Sequence, residues 1–137
     1  MGVGAVIFHD NKVLLVKRGK EPGYGKWSIP RGAIELGETL KEGVLREVKE
    51  ETGLELEIGG IVEVLDWVGR DENNRIKYHY VLVDFWCKCL SLELNPSSDV
   101  LDARWVQLSD APNYDLPLAT LEVIDKGFRK FKTSLLK

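Results

Sequence analysis

Residues 32–54 read GAIELGETLKEGVLREVKEETGL, and this stretch contains the most informative pattern in the chain. Thr39 with Glu42 three residues later is typical of a capping box at a helix N-terminus, and Gly53 is typical of a helix C-terminus. Between them, four apolar residues recur at helical spacing: Leu40, Val44, Leu45 and Val48. The stretch therefore predicts an amphipathic helix that begins after Thr39 and ends at Gly53.

Three glutamates lie near the end of this helix. Because positions i, i+3 and i+4 share one helix face, Glu47, Glu50 and Glu51 converge. Their mutual repulsion raises the pKa of at least one of them, and a bound divalent cation would remove that penalty. Oxygen-only ligands suit Mg²⁺ or Mn²⁺, which act together with substrate phosphates. The alternative is a solvated acidic face, compensated by Lys41 and Lys49.

The spacing of the charged residues and glycines decides between these two interpretations. The defining positions are Gly32, Glu38, Arg46, Glu47, Val48, Glu50, Glu51, Gly53 and Leu54. All nine match the Nudix box, so the chain resembles the Nudix hydrolases, which act on nucleoside diphosphates linked to another moiety. The resemblance extends to the preceding GKWSIP at residues 25–30, and we expect it to cover the whole chain.

The resemblance implies an α/β chain with the Nudix fold. This is an α/β/α sandwich around a mixed β-sheet, with the box as a loop–helix–loop, in a single domain over residues 1–137. The residue patterns favour the same class, because strand-like stretches occur on both sides of the box helix and a second helical stretch follows them. The predicted strands are residues 3–8, 12–18, 61–69, 76–89 and 103–108, and the second helix is 117–131.

The resemblance also implies roles for residues of the box. Glu47, Glu50 and Glu51 would be the metal ligands, with Glu47 and Glu51 nearest the metal, and the backbone carbonyl of Arg31 would be a further ligand. Arg46 would orient a carboxylate through a charge-assisted hydrogen bond.

Other residues of the box would shape its loops. Glu38 would brace the loop or join the outer metal shell. Gly32 and Gly53 would permit backbone turns that a side chain would strain. Val48 and Leu54 would be core residues without a chemical role.

The implied reaction is hydrolysis at phosphorus by a water whose proton passes to a carboxylate. In this family the base is a box glutamate or an acidic residue from a later loop. Asp99 is the preferred loop candidate, followed by Glu93 and Asp102. Alternatively, Asp99 only turns the loop, because Asp favours turns.

Substrate-binding candidates lie outside the box. Lys17 and Arg18 end a predicted strand, where alternation directs at most one of them towards phosphate; the other interpretation is a solvated strand end. Trp27 could stack on a base, although packing beneath the box is favoured. His79, between two tyrosines, could line a nucleoside pocket or belong to a half-buried strand.

Arg31 stands where many Nudix proteins have a second glycine. Its side chain could meet an extended phosphate chain, as in the branch that hydrolyses dinucleoside polyphosphates, or it could point into solvent. If the backbone needed a positive φ, arginine would cost about 1 kcal/mol or more.

The expected function is Mg²⁺- or Mn²⁺-dependent hydrolysis of a pyrophosphate linkage, with ADP-ribose as the leading substrate. The alternatives are dinucleoside polyphosphate hydrolysis, nucleoside triphosphate pyrophosphohydrolysis for pool sanitisation, and a sensor that binds a nucleotide without cleaving it. A net charge of −3 disfavours extended nucleic acid or an anionic membrane as a partner. The expected partner is a small nucleotide, a homodimer is possible, and the expected location is cytoplasmic.

Overall fold

A computed structural model describes residues 1–21 and 23–136 of the chain. These residues form seven strands: β1 (Gly2–His9), β2 (Lys12–Arg18), β3 (Trp27–Ser28), β4 (Arg31–Ala33), β5 (Leu56–Arg70), β6 (Ile76–Cys89) and β7 (Val100–Gln107). Helix α1 is Leu40–Thr52, and helix α2 is Leu118–Leu135. A 3-10 helix, Leu108–Tyr114, follows β7.

All seven strands belong to one mixed sheet. Its central path runs β3-β2-β1-β6-β5, while β4 pairs with β1 and β7 pairs with β2. Strands β1 and β6 are parallel, and the other pairings are antiparallel. The two long strands β5 and β6 form a hairpin whose turn includes Asn74 in a left-handed conformation.

The two helices cover opposite faces of the sheet. On one face, Val44 and Val48 of α1 pack with buried residues of β1 and β6. On the other, Val123, Ile124 and Phe131 of α2 belong to a second core that includes residues of β1 and β2. The structure confirms the predicted α/β/α sandwich around a mixed sheet.

Most predicted elements are present with small shifts of their bounds. The strand expected at 76–89 is β6, and the helix expected after Thr39 is α1. The short strands β3 and β4 and the 3-10 helix were not predicted. None of the helices in the described part of the chain is long and apolar enough to cross a membrane.

Candidate functional site

Helix α1 carries most of the charged residues of the site, and both of its ends are capped. Thr39 Oγ1 accepts a hydrogen bond from Glu42 N, and Thr39 N donates to Glu42 Oε1, which completes the capping box. Gly53 ends the helix with a φ of 79°. With Val44 and Val48 buried against the sheet, the face that bears the glutamates is directed outward.

Arg46 connects the acidic side chains of the site. Its Nε donates to Glu38 Oε2 at 2.6 Å and its Nη2 donates to Glu38 Oε1 at 2.9 Å. Its Nη1 lies 3.1 Å from Glu47 Oε1 and 3.3 Å from Glu50 Oε2. The hydrogen bonds to Glu38 first and then to Glu47, together with the charges of Glu47 and Glu35, raise the pKa of the guanidinium, so Arg46 stays charged at any physiological pH.

Glu38 is held in its charged form. The bidentate hydrogen bond from Arg46, followed by the hydrogen bond from Glu35 N, lowers the pKa of Glu38 to about 2. Glu38 therefore ties the loop before α1 to the helix itself, which matches the loop-bracing alternative for this residue.

Glu47 and Glu51 are neighbouring carboxyl groups of the site. Burial first, then a hydrogen bond with Glu47 and repulsion by its charge, raises the pKa of Glu51 to about 8. In its protonated form Glu51 donates this hydrogen bond to Glu47. Glu50 differs from the pair, because its side chain is 60% exposed and is directed to Arg46.

The site is not arranged as a complete metal shell. Among the residues that the structure describes, no three His, Cys, Asp or Glu side chains converge closely enough to hold an ion as they stand. The neighbouring carboxyl groups of Glu47 and Glu51 nevertheless form a place where like charges favour a cation, and both provide hard oxygen donors. The residues present fit Mg²⁺ or Mn²⁺.

The register of β4 directs a backbone oxygen to the same site. Ala5 N donates to Pro30 O and Ile34 N donates to Met1 O, which places Arg31 opposite Gly4 at a non-hydrogen-bonded position. The Arg31 carbonyl therefore points away from β1. The carbonyl two residues on points the same way, since Ala33 O accepts from Arg46 Nη2 at 2.9 Å.

Glycine is needed at position 32 for a different physical reason from the one predicted. It lies in β4, and its φ is not among the positive values that the described glycines show. A Cβ at this position would lie 2.0 Å from the carboxyl carbon of Glu47. The expectation of a backbone turn at Gly32 was wrong, because glycine is needed here for the close approach of Glu47. Gly53 does have the predicted positive φ.

The glutamates line a cleft of about 560 Å³. Arg18 and Lys20 contribute cationic side chains to its wall, and Asp99 lies on it as well. Asp99 is 62% exposed and its carboxylate is 3.6 Å from Lys20 Nζ. Of the two basic residues that end β2, the cleft therefore includes Arg18 and leaves Lys17 outside its lining.

Two other substrate-binding candidates do not line this cleft. Trp27 packs edge-on against Tyr114 at 5.1 Å, with Arg104 over its ring. His79 Nε2 lies 2.9 Å from Asp66 Oδ1 on the β5–β6 hairpin. Trp27 packs, as one interpretation expected, but in the core on the α2 face of the sheet and not beneath the box. His79 lies on a strand as expected, but its side chain is exposed and not half-buried.

The Arg31 side chain makes a contact that sequence reasoning missed. Its Nη2 donates to Asp84 Oδ2 at 2.8 Å and its Nε donates to Asp84 Oδ1 at 3.3 Å. The guanidinium therefore neither points into solvent nor extends freely towards phosphate. Because Arg31 lies in an extended strand, the left-handed strain considered for this position is also not present.

Lys20 and Ser97 are cleft residues that the sequence did not single out. Ser97 N donates to Glu51 O at 3.0 Å, so the loop before β7 is attached directly to the end of α1. Gly19 N donates to Asp99 O at 3.0 Å, which joins the same loop to the loop after β2. A cation just beyond the Lys17–Arg18 pair was the available signal for Lys20, whereas Ser97 had none.

Comparison with known sequences gives one family and several relatives. The profile of the NUDIX domain matches residues 1–127. An ADP-ribose pyrophosphatase of Methanocaldococcus jannaschii is 34% identical over 112 residues, which are 82% of this chain and 64% of that protein. The chain thus spans just under two thirds of that relative. The nucleoside triphosphatase NudI of Escherichia coli is 28% identical over 129 residues, covering 87% of this chain and 89% of NudI.

Solved structures agree with this match. A MutT NUDIX hydrolase from Burkholderia pseudomallei superposes with a TM-score of 0.78 at 30% identity, covering 91% of this chain and 95% of that one. The NUDIX domain of Shewanella oneidensis NrtR, solved in complex with ADP ribose, gives a TM-score of 0.75 at 27% identity. That match covers 95% of this chain and 86% of the NrtR domain.

Proposed function

Because the chain belongs to the Nudix domain family, we propose that it hydrolyses the pyrophosphate linkage of a nucleoside diphosphate derivative, with ADP-ribose as substrate and Mg²⁺ or Mn²⁺ as cofactor. The observation that carries the proposal is the Glu47–Glu51 pair. These two neighbouring carboxyl groups lie in a cleft that also contains Arg18 and Lys20. This combination of acidic and basic groups suits a cation and a diphosphate bound side by side.

Three side chains and one backbone group would hold the ion: Glu47, Glu50, Glu51 and the carbonyl of Arg31. When bound, the ion supplies charge neutralisation at the phosphate oxygens and lowers the pKa of water. Arg46 keeps Glu47 and Glu50 in orientation through its two contacts of 3.1 and 3.3 Å. Because Arg46 is saturated by these and by Glu38, its role is to position carboxylates and not to bind substrate.

The proton of the attacking water would pass to Asp99. This carboxylate lines the same cleft as Glu47 and Glu51 but belongs to a separate loop, so it can act without giving up a role as ligand. Lys20 Nζ lies 3.6 Å from this carboxylate. Arg18 and Lys20 would also balance the negative charge of the diphosphate.

ADP-ribose is proposed on the basis of two relatives. The Methanocaldococcus jannaschii protein is an ADP-ribose pyrophosphatase, and the NrtR domain was solved with ADP ribose. A nucleoside triphosphate is the second candidate, favoured by the similarity to NudI along nearly its whole length. The dinucleoside polyphosphate alternative rested on Arg31, and it loses that support because the guanidinium is paired with Asp84.

The test is a comparison of kcat/KM for ADP-ribose, nucleoside triphosphates, diadenosine polyphosphates and nucleotide sugars with Mg²⁺ and with Mn²⁺. We expect the highest value for ADP-ribose, with AMP and ribose 5-phosphate as products. A higher value for a triphosphate, with release of pyrophosphate, would select the second candidate. Binding of ADP-ribose without turnover of any compound would indicate a sensor and reject the proposed reaction.

A further inference from the structure

Strand β4 separates a buried ion pair from the carboxylate cluster, which is defined as Arg46, Glu47, Glu50 and Glu51. It is only three residues long and pairs with β1 alone among the described strands. So short a strand has few ladder hydrogen bonds to fix it, and its side chains must contribute to holding it in place.

The ion pair fixes one side of β4. Arg31 and Asp84 lie directly opposite Gly4 on either side of β1, so the three form a row across the sheet. The guanidinium meets the carboxylate through two hydrogen bonds, at 2.8 and 3.3 Å. The Asp84 side chain is 0% exposed and that of Arg31 only 18%. A Cβ on Gly4 would lie 2.1 Å from Asp84 Oδ1, so glycine provides the space for the pair.

A buried carboxylate without a partner is strongly unfavourable, and Arg31 is the ion-pair partner that Asp84 has in the structure. The bidentate geometry also restricts the orientation of the guanidinium. Through this contact, the start of β4 is attached to β6, a long strand in the middle of the sheet. The pair therefore fixes the position of residue 31 through a contact with a residue 53 positions away in the sequence.

The other side of β4 touches the carboxylate cluster. The Glu47 carboxyl lies against Gly32, and Arg46 donates to Ala33 O at 2.9 Å. The Arg31 carbonyl shares the edge of β4 that carries Ala33 O. A shift of β4 would therefore move three groups beside the cluster at once: Gly32, the Arg31 carbonyl and the Ala33 carbonyl.

We propose that Asp84 is a positioning residue: through Arg31 it fixes β4 against the carboxylate cluster and so sets the geometry in which the cluster binds a divalent cation. The inference rests on the proposed function, because it takes the cluster as a metal site. Asp84 itself contacts neither the cation nor the substrate. Its effect is transmitted through the backbone of residues 31–33.

The test measures the Kd for Mn²⁺ directly, by titration calorimetry or water-proton relaxation, on the full chain without substrate. We expect Asp84→Asn to weaken Mn²⁺ binding about 10- to 100-fold, the range typical when a residue that orients metal ligands is lost. The turnover rate with saturating ADP-ribose and limiting Mn²⁺ should fall in parallel, and excess Mn²⁺ should restore part of it.

Two further variants separate positioning from loss of stability. The double variant Arg31→Met with Asp84→Asn removes both charges, so no buried charge is left unpaired, and we expect its Mn²⁺ binding to remain weak. Val123→Ala opens a cavity under α2, far in sequence from β4, and provides a variant of reduced Tm. We expect its Kd for Mn²⁺ to equal that of the unmodified protein.

The outcomes are distinct. Binding of Mn²⁺ by Asp84→Asn or by the double variant within about twofold of the unmodified protein would overturn the positioning role, provided that Glu51→Gln abolishes binding. A loss by Val123→Ala equal to that of Asp84→Asn would attribute the effect to stability and also overturn it. If the unmodified protein itself does not bind Mn²⁺, the proposed function fails first and the inference fails with it.

Discussion

At the scale of one residue, the fold places the Glu51 carboxyl in surroundings that disfavour its ionised form. Burial and the neighbouring Glu47 raise its pKa to about 8, far above the ordinary value of 4.5. Because the folded state binds the proton more tightly than the unfolded state, the stability contributed by this group is fully present below about pH 4.5. It is lost as the pH rises from there to about 8. A cation that binds the ionised pair would reverse that loss.

This charge leads to a prediction for Glu51→Gln in protein freed of metal. Because glutamine cannot ionise, we expect the variant to have a higher Tm than the unmodified protein at about pH 8.5 and a similar Tm at about pH 5. Each kcal/mol of relieved repulsion corresponds to roughly 3–5 °C for a chain of this size. Thermal denaturation at both pH values checks it. An equal Tm difference at the two pH values would show that Glu51 titrates normally in the fold.

Asp99 is the second residue with a specific expectation. If Asp99 accepts the proton of water, Asp99→Asn should lower kcat about a hundredfold or more, which is the contribution typical of a general base. The variant should also change how the rate depends on pH. Asp102→Asn is the matched control, since Asp102 contacts Arg104 Nε at 2.9 Å and does not line the cleft. Equal activity of the two variants would indicate that the general base is a glutamate of the box and not Asp99.

At the scale of the element, α1 depends on its N-terminal cap. Thr39→Ala removes the hydroxyl that accepts from Glu42 N at 3.1 Å and should lower the free energy of unfolding by about 1 kcal/mol. Thr133→Ala is the control, because Thr133 is exposed and its hydroxyl donates within α2, to Arg129 O. We expect its effect to stay below about 0.5 kcal/mol. Denaturant titration compares them, and equal losses would argue against the cap.

The sequence was most informative where structure is decided locally. The capping box, the apolar stripe and Gly53 fixed the bounds of α1, because each acts within a few residues of its own position. The length of β6 followed in the same way from its continuous run of strand-forming residues. The 3-10 helix was not predictable on these grounds, since Leu108–Tyr114 includes Pro112 and has the composition of a loop.

Contacts between distant residues were not accessible to the same reasoning. The pairing of Arg31 with Asp84 depends on the order of three strands and on a glycine between them, and none of these has a local signature. Gly32 was identified by its place in the box, but its physical reason, the approach of Glu47, required the packing of α1 on β4. The metal-ligand assignments of the box remain predictions.

At the scale of the whole molecule, the sheet brings together parts of the chain that are far apart in sequence. The cleft takes Arg18 from the end of β2, Gly32 from β4, Glu47 and Glu51 from α1, and Asp99 from the loop before β7. Hydrogen bonds between these segments, such as Ser97 N to Glu51 O, attach the loops to the helix. The site is therefore a product of the fold, and the box alone does not form it.

The proposed function requires that this cleft hydrolyse a pyrophosphate by means of a divalent cation held by the glutamates of α1. The most direct measurement is ADP-ribose turnover by protein stripped with a chelator, before and after titration with Mg²⁺ or Mn²⁺, for the unmodified chain and for Glu51→Gln. We predict no turnover without metal and full recovery on titration of the unmodified chain. For Glu51→Gln, we predict that the recovered turnover is at least about a hundredfold lower than that of the unmodified chain. Undiminished turnover in chelator, with metal content shown to be negligible, would contradict hydrolysis by a bound cation.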